Sequence, residues 1–120
     1  MTALVLVVLG SAIGAPLRYV VDREVQSRHE RVFPFGTMAI NIVGSFLLGV
    51  LVGAADDLGW SSLAVASLGT GVLGAFTTFS TFIWETLRML EERSYFAASA
   101  NMVVSIGAGL LAAYLGLWIA

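Results

Sequence analysis

Four long apolar stretches make up most of the chain, and the charged residues are confined to the segments between them. The uncharged stretches cover about residues 3–17, 35–55, 58–84 and 94–120. A bilayer core about 30 Å thick is crossed by roughly 20 predominantly apolar residues in a helix. The pattern therefore predicts a single four-helix transmembrane domain over residues 1–120, with helices at about 3–21, 35–55, 61–90 and 96–119.

The composition indicates a protein that lies in lipid. The chain has 120 residues, of which 58% are hydrophobic and 12% are charged, and its mean hydropathy is +0.91. A soluble domain of this size and composition would expose apolar patches large enough to cause aggregation. We therefore expect an all-α integral membrane protein without a separate soluble domain.

The polar side chains exclude several classes of function. The chain has no cysteine, and its single histidine, His29, lies in the charged connector before the second helix. Thiolate metal sites are therefore excluded, and no nucleophile with a neighbouring base can be assembled for an enzyme. The net charge is -2, and the charges do not form the basic patch that a nucleic acid would need.

Small and polar residues recur at four-residue intervals on the second and fourth predicted helices. Residues four apart share one face of a helix, so these stripes should point into protein or water while the leucines meet lipid. A short chain with several such stripes is expected to oligomerise. The stripe residues are Asn41, Ser45, Gly49 and Gly53 on the second helix, and Asn101, Ser105 and Gly109 on the fourth.

The third stretch is too long for one untilted span, and its middle is rich in residues that weaken a helix. Residues 69–82 read GTGVLGAFTTFSTF. A break at membrane depth is tolerated only where the freed backbone groups line a cavity or bind something. We predict a helix that is broken near mid-membrane. The alternative is an intact helix that packs through its glycines and whose threonines bond to preceding carbonyls.

Three motifs, in order along the chain, resemble those of the bacterial fluoride channel family, called Fluc or CrcB. Residues 10–19 read GSAIGAPLRY, and residues 34–37 read PFGT, followed by Asn41 and by GSFLLG at residues 44–49. Residues 74–82 read GAFTTFSTF, where the family has a second glycine in place of Ala75. Together with four spans in a chain of this length, these motifs form a specific match over most of the sequence.

The resemblance implies the fold, the assembly and a cofactor. It implies an antiparallel, dual-topology-like dimer in the bacterial plasma membrane, with two pores through which fluoride leaves the cell passively and cytoplasmic fluoride falls. It also implies a structural sodium ion at the dimer centre, held by the backbone carbonyls of Gly74 and Thr77. A hard cation is suited to oxygen ligands, and the carbonyl end of a broken helix offers them.

The resemblance also nominates a fluoride pathway. The rings of Phe79 and Phe82 lie three residues apart on one helix face, and their edges carry partial positive charge. A hydrated anion must have its water replaced by such edges and by hydroxyl or amide donors. Glu85 matches an acidic position at the end of the pore, although it could equally be an interfacial charge near Arg88. The implied pathway residues are Asn41, Phe79, Ser80, Thr81, Phe82, Glu85 and Ser105.

The arginines favour one orientation in the membrane. All six lie in, or at the edges of, the first and third connectors, whereas the second connector carries Asp56 and Asp57. The positive-inside rule then places those two connectors in the cytoplasm and both termini outside. A dual-topology homodimer should show little bias of this kind. The bias therefore favours one orientation and a dimer with an oppositely oriented paralogue, and a dimer of two copies of this chain is the alternative.

Two other functions are compatible with a four-helix membrane chain. A small proton-coupled exporter also pairs antiparallel, but it needs an acidic residue within the membrane. The first helix has no acid before Asp22, and Glu85 lies at the end of the third segment. A non-conducting membrane subunit would use the polar stripes for packing alone. A fluoride channel is the function that all three motifs favour.

Overall fold

The computed structural model describes residues 1–28 and 33–120, and every element in these residues is a helix. Four helical segments are long and apolar enough to cross a membrane, which confirms the predicted number of spans. His29 lies outside the described residues. The elements are α1 (Thr2–Ser27), α2 (Phe35–Leu58), α3 (Ser62–Val65), a π-helix (Ala66–Leu73), α4 (Gly74–Phe76), α5 (Ser80–Glu91) and α6 (Tyr95–Ile119).

Helix α1 is longer than predicted. It continues through the residues after Val21 and ends at Ser27. The boundary predicted at about residue 21 was therefore wrong. Glu24 and Arg28 form an exposed ion pair at 2.6 Å across one helical turn. Such a pair contributes only about 0.3–0.5 kcal/mol. It is nevertheless compatible with a helix that leaves the apolar layer and continues into water.

Glycines bring α1 against the first half of the third segment. A Cβ atom on Gly14 would lie 2.0 Å from the Val72 carbonyl oxygen, and one on Gly10 would lie 2.4 Å from the Ser67 carbonyl oxygen. The hydroxyl of Ser67 donates to the Leu6 carbonyl at 3.3 Å across the same contact. The Gly10 and Gly14 face therefore allows the backbones of α1 and the π-helix to approach closely.

Helices α2 and α6 form the most extensive contact in the chain, and it also depends on glycine. A Cβ atom on Gly49 would lie 2.2 Å from the Ala113 carbonyl oxygen, and one on Gly116 would lie 2.3 Å from the Phe46 carbonyl oxygen. The part of the α2 stripe at Gly49 is therefore used for packing against α6. The part of the stripe nearer the N-terminus of α2, at Asn41 and Ser45, remains for other contacts.

The third segment changes its helical geometry twice. The glycine-rich residues 66–73 form the π-helix, whose wider turns the sequence pattern did not predict. Residues 77–79 then lie outside any helix, and Thr77 has an extended backbone with φ -83° and ψ 162°. Ala75 lies within α4, so an alanine fits where the family motif has glycine. Three non-helical residues therefore separate α4 from α5.

The close approach of α1 predicts a specific sensitivity to added volume. We expect Gly14→Ala to lower the free energy of unfolding by about 1–3 kcal/mol, because its methyl group would overlap the Val72 carbonyl. Thermal unfolding in detergent micelles measures this change. Gly107→Ala on α6 is the matched control, since its Cβ would have no neighbour within 4 Å. Equal stability of the two variants would contradict the packing described here.

Candidate functional site

One side chain satisfies the backbone where the third segment leaves the helix. The Asn41 Nδ2 group donates to the Thr78 carbonyl at 2.8 Å, and the Thr78 amide donates to Asn41 Oδ1 at 2.8 Å. Asn41 therefore pairs with both backbone groups of one residue, as a neighbouring strand would. In a membrane such groups cannot be left unpaired, because each would cost several kcal/mol.

This pairing changes the helical bonds on both sides of residues 77–79. In a continuous helix the Thr78 amide would bond to the Gly74 carbonyl, and the Thr81 amide would bond to the Thr77 carbonyl. Instead the Thr78 amide goes to Asn41, and the Thr81 amide donates to the Thr78 hydroxyl at 3.3 Å. The two carbonyls thereby lose their usual donors at the negative end of one helical stretch, and the positive end of α5 begins three residues later.

A groove of about 270 Å³ lies beside this segment. It brings together both residues of the implied cation site and two residues of the implied anion pathway. Ser80 and Thr81 lie next to it, and their hydroxyls are 3.5 Å and 3.1 Å from the Thr78 hydroxyl. The lining residues are Asn41, Gly44, Ser45, Leu48, Gly69, Leu73, Gly74, Thr77, Thr78 and Phe79.

The two implied pathway phenylalanines lie together but differ in exposure. Their ring centroids are 5.9 Å apart, with the ring planes tilted by 45°. Phe79 is 74% exposed beside the groove, whereas Phe82 is 5% exposed and packs in the interior. Of these two rings, therefore, that of Phe79 is open to its surroundings, and that of Phe82 is covered within the chain.

Glu85 and Ser105 lie apart from the groove residues. The Thr37 hydroxyl donates to Glu85 at 2.5 Å, which joins the start of α2 to α5. Glu85 also lines a separate cavity of about 260 Å³ together with Asp22 and Arg88. The Ser105 hydroxyl donates to Asn101 Oδ1 at 3.2 Å. The structure therefore divides the seven implied pathway residues among three neighbourhoods.

Sequence reasoning missed three partners of the site residues. Thr37 was noted only as part of a motif, and Thr86 was not singled out, although it lies one turn beyond Phe82. Arg18 was considered only as part of a motif and among the six arginines, but its Nη1 atom lies 3.4 Å from the Thr77 carbonyl oxygen. The four-residue spacing from Phe82 could have indicated Thr86. No local pattern connects residue 18 with residue 77.

The paired hydrogen bonds of Asn41 predict a local effect on backbone protection. We expect Asn41→Leu to accelerate hydrogen–deuterium exchange at residues 77–79 by roughly tenfold or more, since a lost buried bond costs about 1–3 kcal/mol. Asn41→Asp keeps the acceptor for the Thr78 amide and should have a smaller effect. Ser45→Ala is the control, because the Ser45 hydroxyl donates to the backbone carbonyl of Asn41 at 2.7 Å and takes no part in the bonds between the Asn41 side chain and Thr78. Unchanged exchange in Asn41→Leu would refute the pairing.

Known proteins match this chain along nearly its whole length. The family described as CrcB-like protein, Camphor Resistance (CrcB), matches residues 5–117. The chain is 53% identical to fluoride-specific ion channel FluC 1 of Streptomyces avermitilis, over 96% of this chain and 93% of the relative. It is 50% identical to fluoride-specific ion channel FluC 2 of Mycobacterium tuberculosis, over 95% of this chain and 87% of the relative.

A further relative is fluoride-specific ion channel FluC 1 of Frankia casuarinae, which is 47% identical over 92% of this chain and 90% of its own length. The chain matches these relatives over most of their length and has four candidate spans, so it is a multi-pass bacterial membrane protein. The resemblance seen in the three motifs is confirmed: the chain belongs to the CrcB family.

Proposed function

We propose that this chain forms a fluoride-selective channel through which fluoride leaves the cell passively, so that cytoplasmic fluoride falls. The observation that carries the proposal is the groove at residues 77–79, where Asn41, the exposed Phe79 ring and the start of α5 meet. The names of the similar proteins support the same function. A channel needs no catalytic group, so we do not propose an enzyme.

The chemistry of this region suits a small anion. The first amides of α5 carry the positive end of its dipole, and the hydroxyls of Ser80 and Thr81 add donors there. Asn41 has a second Nδ2 hydrogen beyond the one given to Thr78. The exposed Phe79 ring offers the ion a partially positive edge, and the Phe82 ring packed beside it adds a second such edge from within the chain, so no fixed cation is needed that would trap the ion. These groups can replace the water around fluoride.

Two residues would act at the ends of the pathway. Ser105 would have to turn its hydrogen away from Asn101 in order to donate to an anion. Glu85 is held by Thr37 and lies beside the separate cavity, where its carboxylate would repel an anion unless donors surround it. We therefore assign Asn41, Phe79, Ser80, Thr81 and Phe82 to the pathway proper, and Ser105 and Glu85 to its ends.

The pathway requires a second chain. The groove is open along one side, and the Phe79 ring is 74% exposed there. We propose that an antiparallel partner covers this side, so that the interrupted third segments of both chains meet near the middle of the membrane. The partner is a second copy of this chain or an oppositely oriented paralogue. Either partner would convert an open groove into an enclosed pore.

The residues at the interruption also fit a structural sodium ion at the centre of such a dimer. The Gly74 and Thr77 carbonyls have lost their helical donors, and backbone oxygens are suitable ligands for a hard cation. Arg18 already lies 3.4 Å from the Thr77 oxygen, so a sodium ion would use the other lone pair of that carbonyl. Two antiparallel chains would together offer four carbonyls.

Sodium binding predicts sodium-dependent stability. We expect the thermal unfolding temperature of the detergent-solubilised dimer to rise with sodium concentration at constant ionic strength. Saturation at 100 times the dissociation constant would stabilise the folded dimer by about 2.7 kcal/mol. N-methylglucamine chloride replaces sodium chloride as the control for ionic strength. An unfolding temperature that does not respond to sodium would argue against the ion.

Fluoride efflux from liposomes that contain only this purified protein tests the function. We expect rapid efflux of fluoride, none of chloride, and no requirement for a pH gradient. Phe79→Ile and Phe82→Ile should slow fluoride efflux by roughly tenfold or more, equal to about 1.4 kcal/mol of added barrier.

Phe96→Ile is the matched control for these variants, since Phe96 is 88% exposed at the start of α6 and lines neither the groove nor the cavity beside Glu85. Efflux that depends on a pH gradient would favour a proton-coupled exporter. No efflux from folded protein would rule out the homodimer as the conducting unit, and co-expression with an oppositely oriented paralogue would then separate a heterodimer from a non-conducting subunit.

A further inference from the structure

A chain of hydrogen bonds in the interior connects α6 to the backbone of Phe82. Asn101 Nδ2 donates to the Thr86 hydroxyl oxygen at 2.8 Å, and the Thr86 hydroxyl donates to the Phe82 carbonyl at 2.8 Å. Ser105 donates to Asn101 Oδ1 at 3.2 Å. Asn101 is 1% exposed and Thr86 is 3% exposed. Their polar groups are therefore withdrawn from solvent and satisfied by one another.

The direction of these bonds is determined from one end. A backbone carbonyl can only accept, so the Thr86 hydroxyl must donate its single hydrogen to Phe82. The Thr86 oxygen must then accept from the Asn101 amide, which turns the Asn101 carbonyl toward Ser105. The bonds consequently run in one direction, from Ser105 through Asn101 and Thr86 to Phe82. Replacement of any member changes the partners of the next.

These hydrogen bonds lie where they can orient the start of α5 as well as pack it. Helix α5 begins just after the non-helical residues 77–79, so the helix before it does not by itself orient its first turns. Phe82 lies in the first turn of α5 and is almost completely buried beside the exposed Phe79 ring. The Asn101–Thr86 bond joins this part of α5 to α6, whose position is set by its extensive contact with α2.

We propose that Asn101 and Thr86 are positioning residues for Phe82. They hold the first turns of α5 so that the Phe82 ring keeps its place beside the Phe79 ring, with the ring centroids 5.9 Å apart. The proposal rests on the proposed function, since it assigns these residues an effect on the fluoride pathway. Neither side chain contacts the ion in this arrangement. They act through the Phe82 backbone and the attachment of α5 to α6.

Conduction by matched variants tests the consequence for the pathway. We expect Thr86→Val and Asn101→Leu to slow fluoride efflux from liposomes by about tenfold or more. Thr86→Ser retains the hydroxyl and should restore efflux to within about threefold of the original chain. Leu51→Ala is the matched control, because Leu51 is buried on α2, lines neither the groove nor the cavity beside Glu85, and has no part in the series of hydrogen bonds.

The control separates positioning from general stability. Leu51→Ala is expected to lower the thermal unfolding temperature at least as much as Thr86→Val, yet to keep efflux within about threefold of the original chain. An equal loss of efflux in Leu51→Ala would show that weakened packing alone explains the effect, and would overturn the proposal. Full efflux in both Thr86→Val and Asn101→Leu would overturn it as well.

A measurement without ion flow keeps this proposal distinct from the proposed function. With 4-fluorophenylalanine placed at position 82 of the full chain, we expect one fluorine resonance that shifts or broadens in Thr86→Val and in Asn101→Leu but not in Leu51→Ala. A resonance that is unchanged in the first two variants would overturn the positioning role, whatever the efflux. If the original chain does not conduct but the resonance responds as expected, the function fails and the positioning role stands.

Discussion

The two hydrogen bonds between Asn41 and the backbone of Thr78 are the interaction on which the rest of the site depends. Lipid offers no water to a freed amide or carbonyl, so a helix can be interrupted at membrane depth only if protein groups replace the lost bonds. One side chain of α2 does this for Thr78 at both groups. The interruption in turn leaves the Gly74 and Thr77 carbonyls at the negative end of one helical stretch, three residues from the positive end of α5. Groups suited to a cation and groups suited to an anion thereby lie side by side.

Close backbone contacts provide the frame that holds Asn41 opposite Thr78. Gly14 brings α1 against the π-helix, and Gly49 and Gly116 bring α2 against α6. Gly44 lies directly against Thr77, since a Cβ atom there would fall 2.2 Å from the Thr77 methyl carbon. These contacts leave no space for larger side chains, so the separation between α2 and the third segment is narrowly defined. Dispersion and close packing replace the hydrophobic effect as the driving force between helices in lipid.

Local sequence signals were sufficient for the number of helices and for the motifs, but not for the partners of the site residues. The predicted spans agree with the four candidate membrane helices, apart from α1, whose last six residues are mostly polar and still helical. The weakness of the third helix could be inferred from its glycines and threonines. That residues 66–73 would form a π-helix and residues 77–79 would leave the helix could not, because the choice depends on which groups of α1 and α2 are available to receive the backbone.

The sequence by itself determined that this chain lies in a membrane, that it has four spans, and that it belongs to its family, because hydropathy and short motifs are properties of contiguous residues. The tertiary structure alone decided which polar groups are paired. It placed Asn41 on Thr78, Arg18 on the Thr77 carbonyl, Thr37 on Glu85, and Asn101 on Thr86. Each of these bonds joins residues from different segments of the chain, and their geometry follows from how closely glycine allows the helices to approach, which no local pattern of residues specifies.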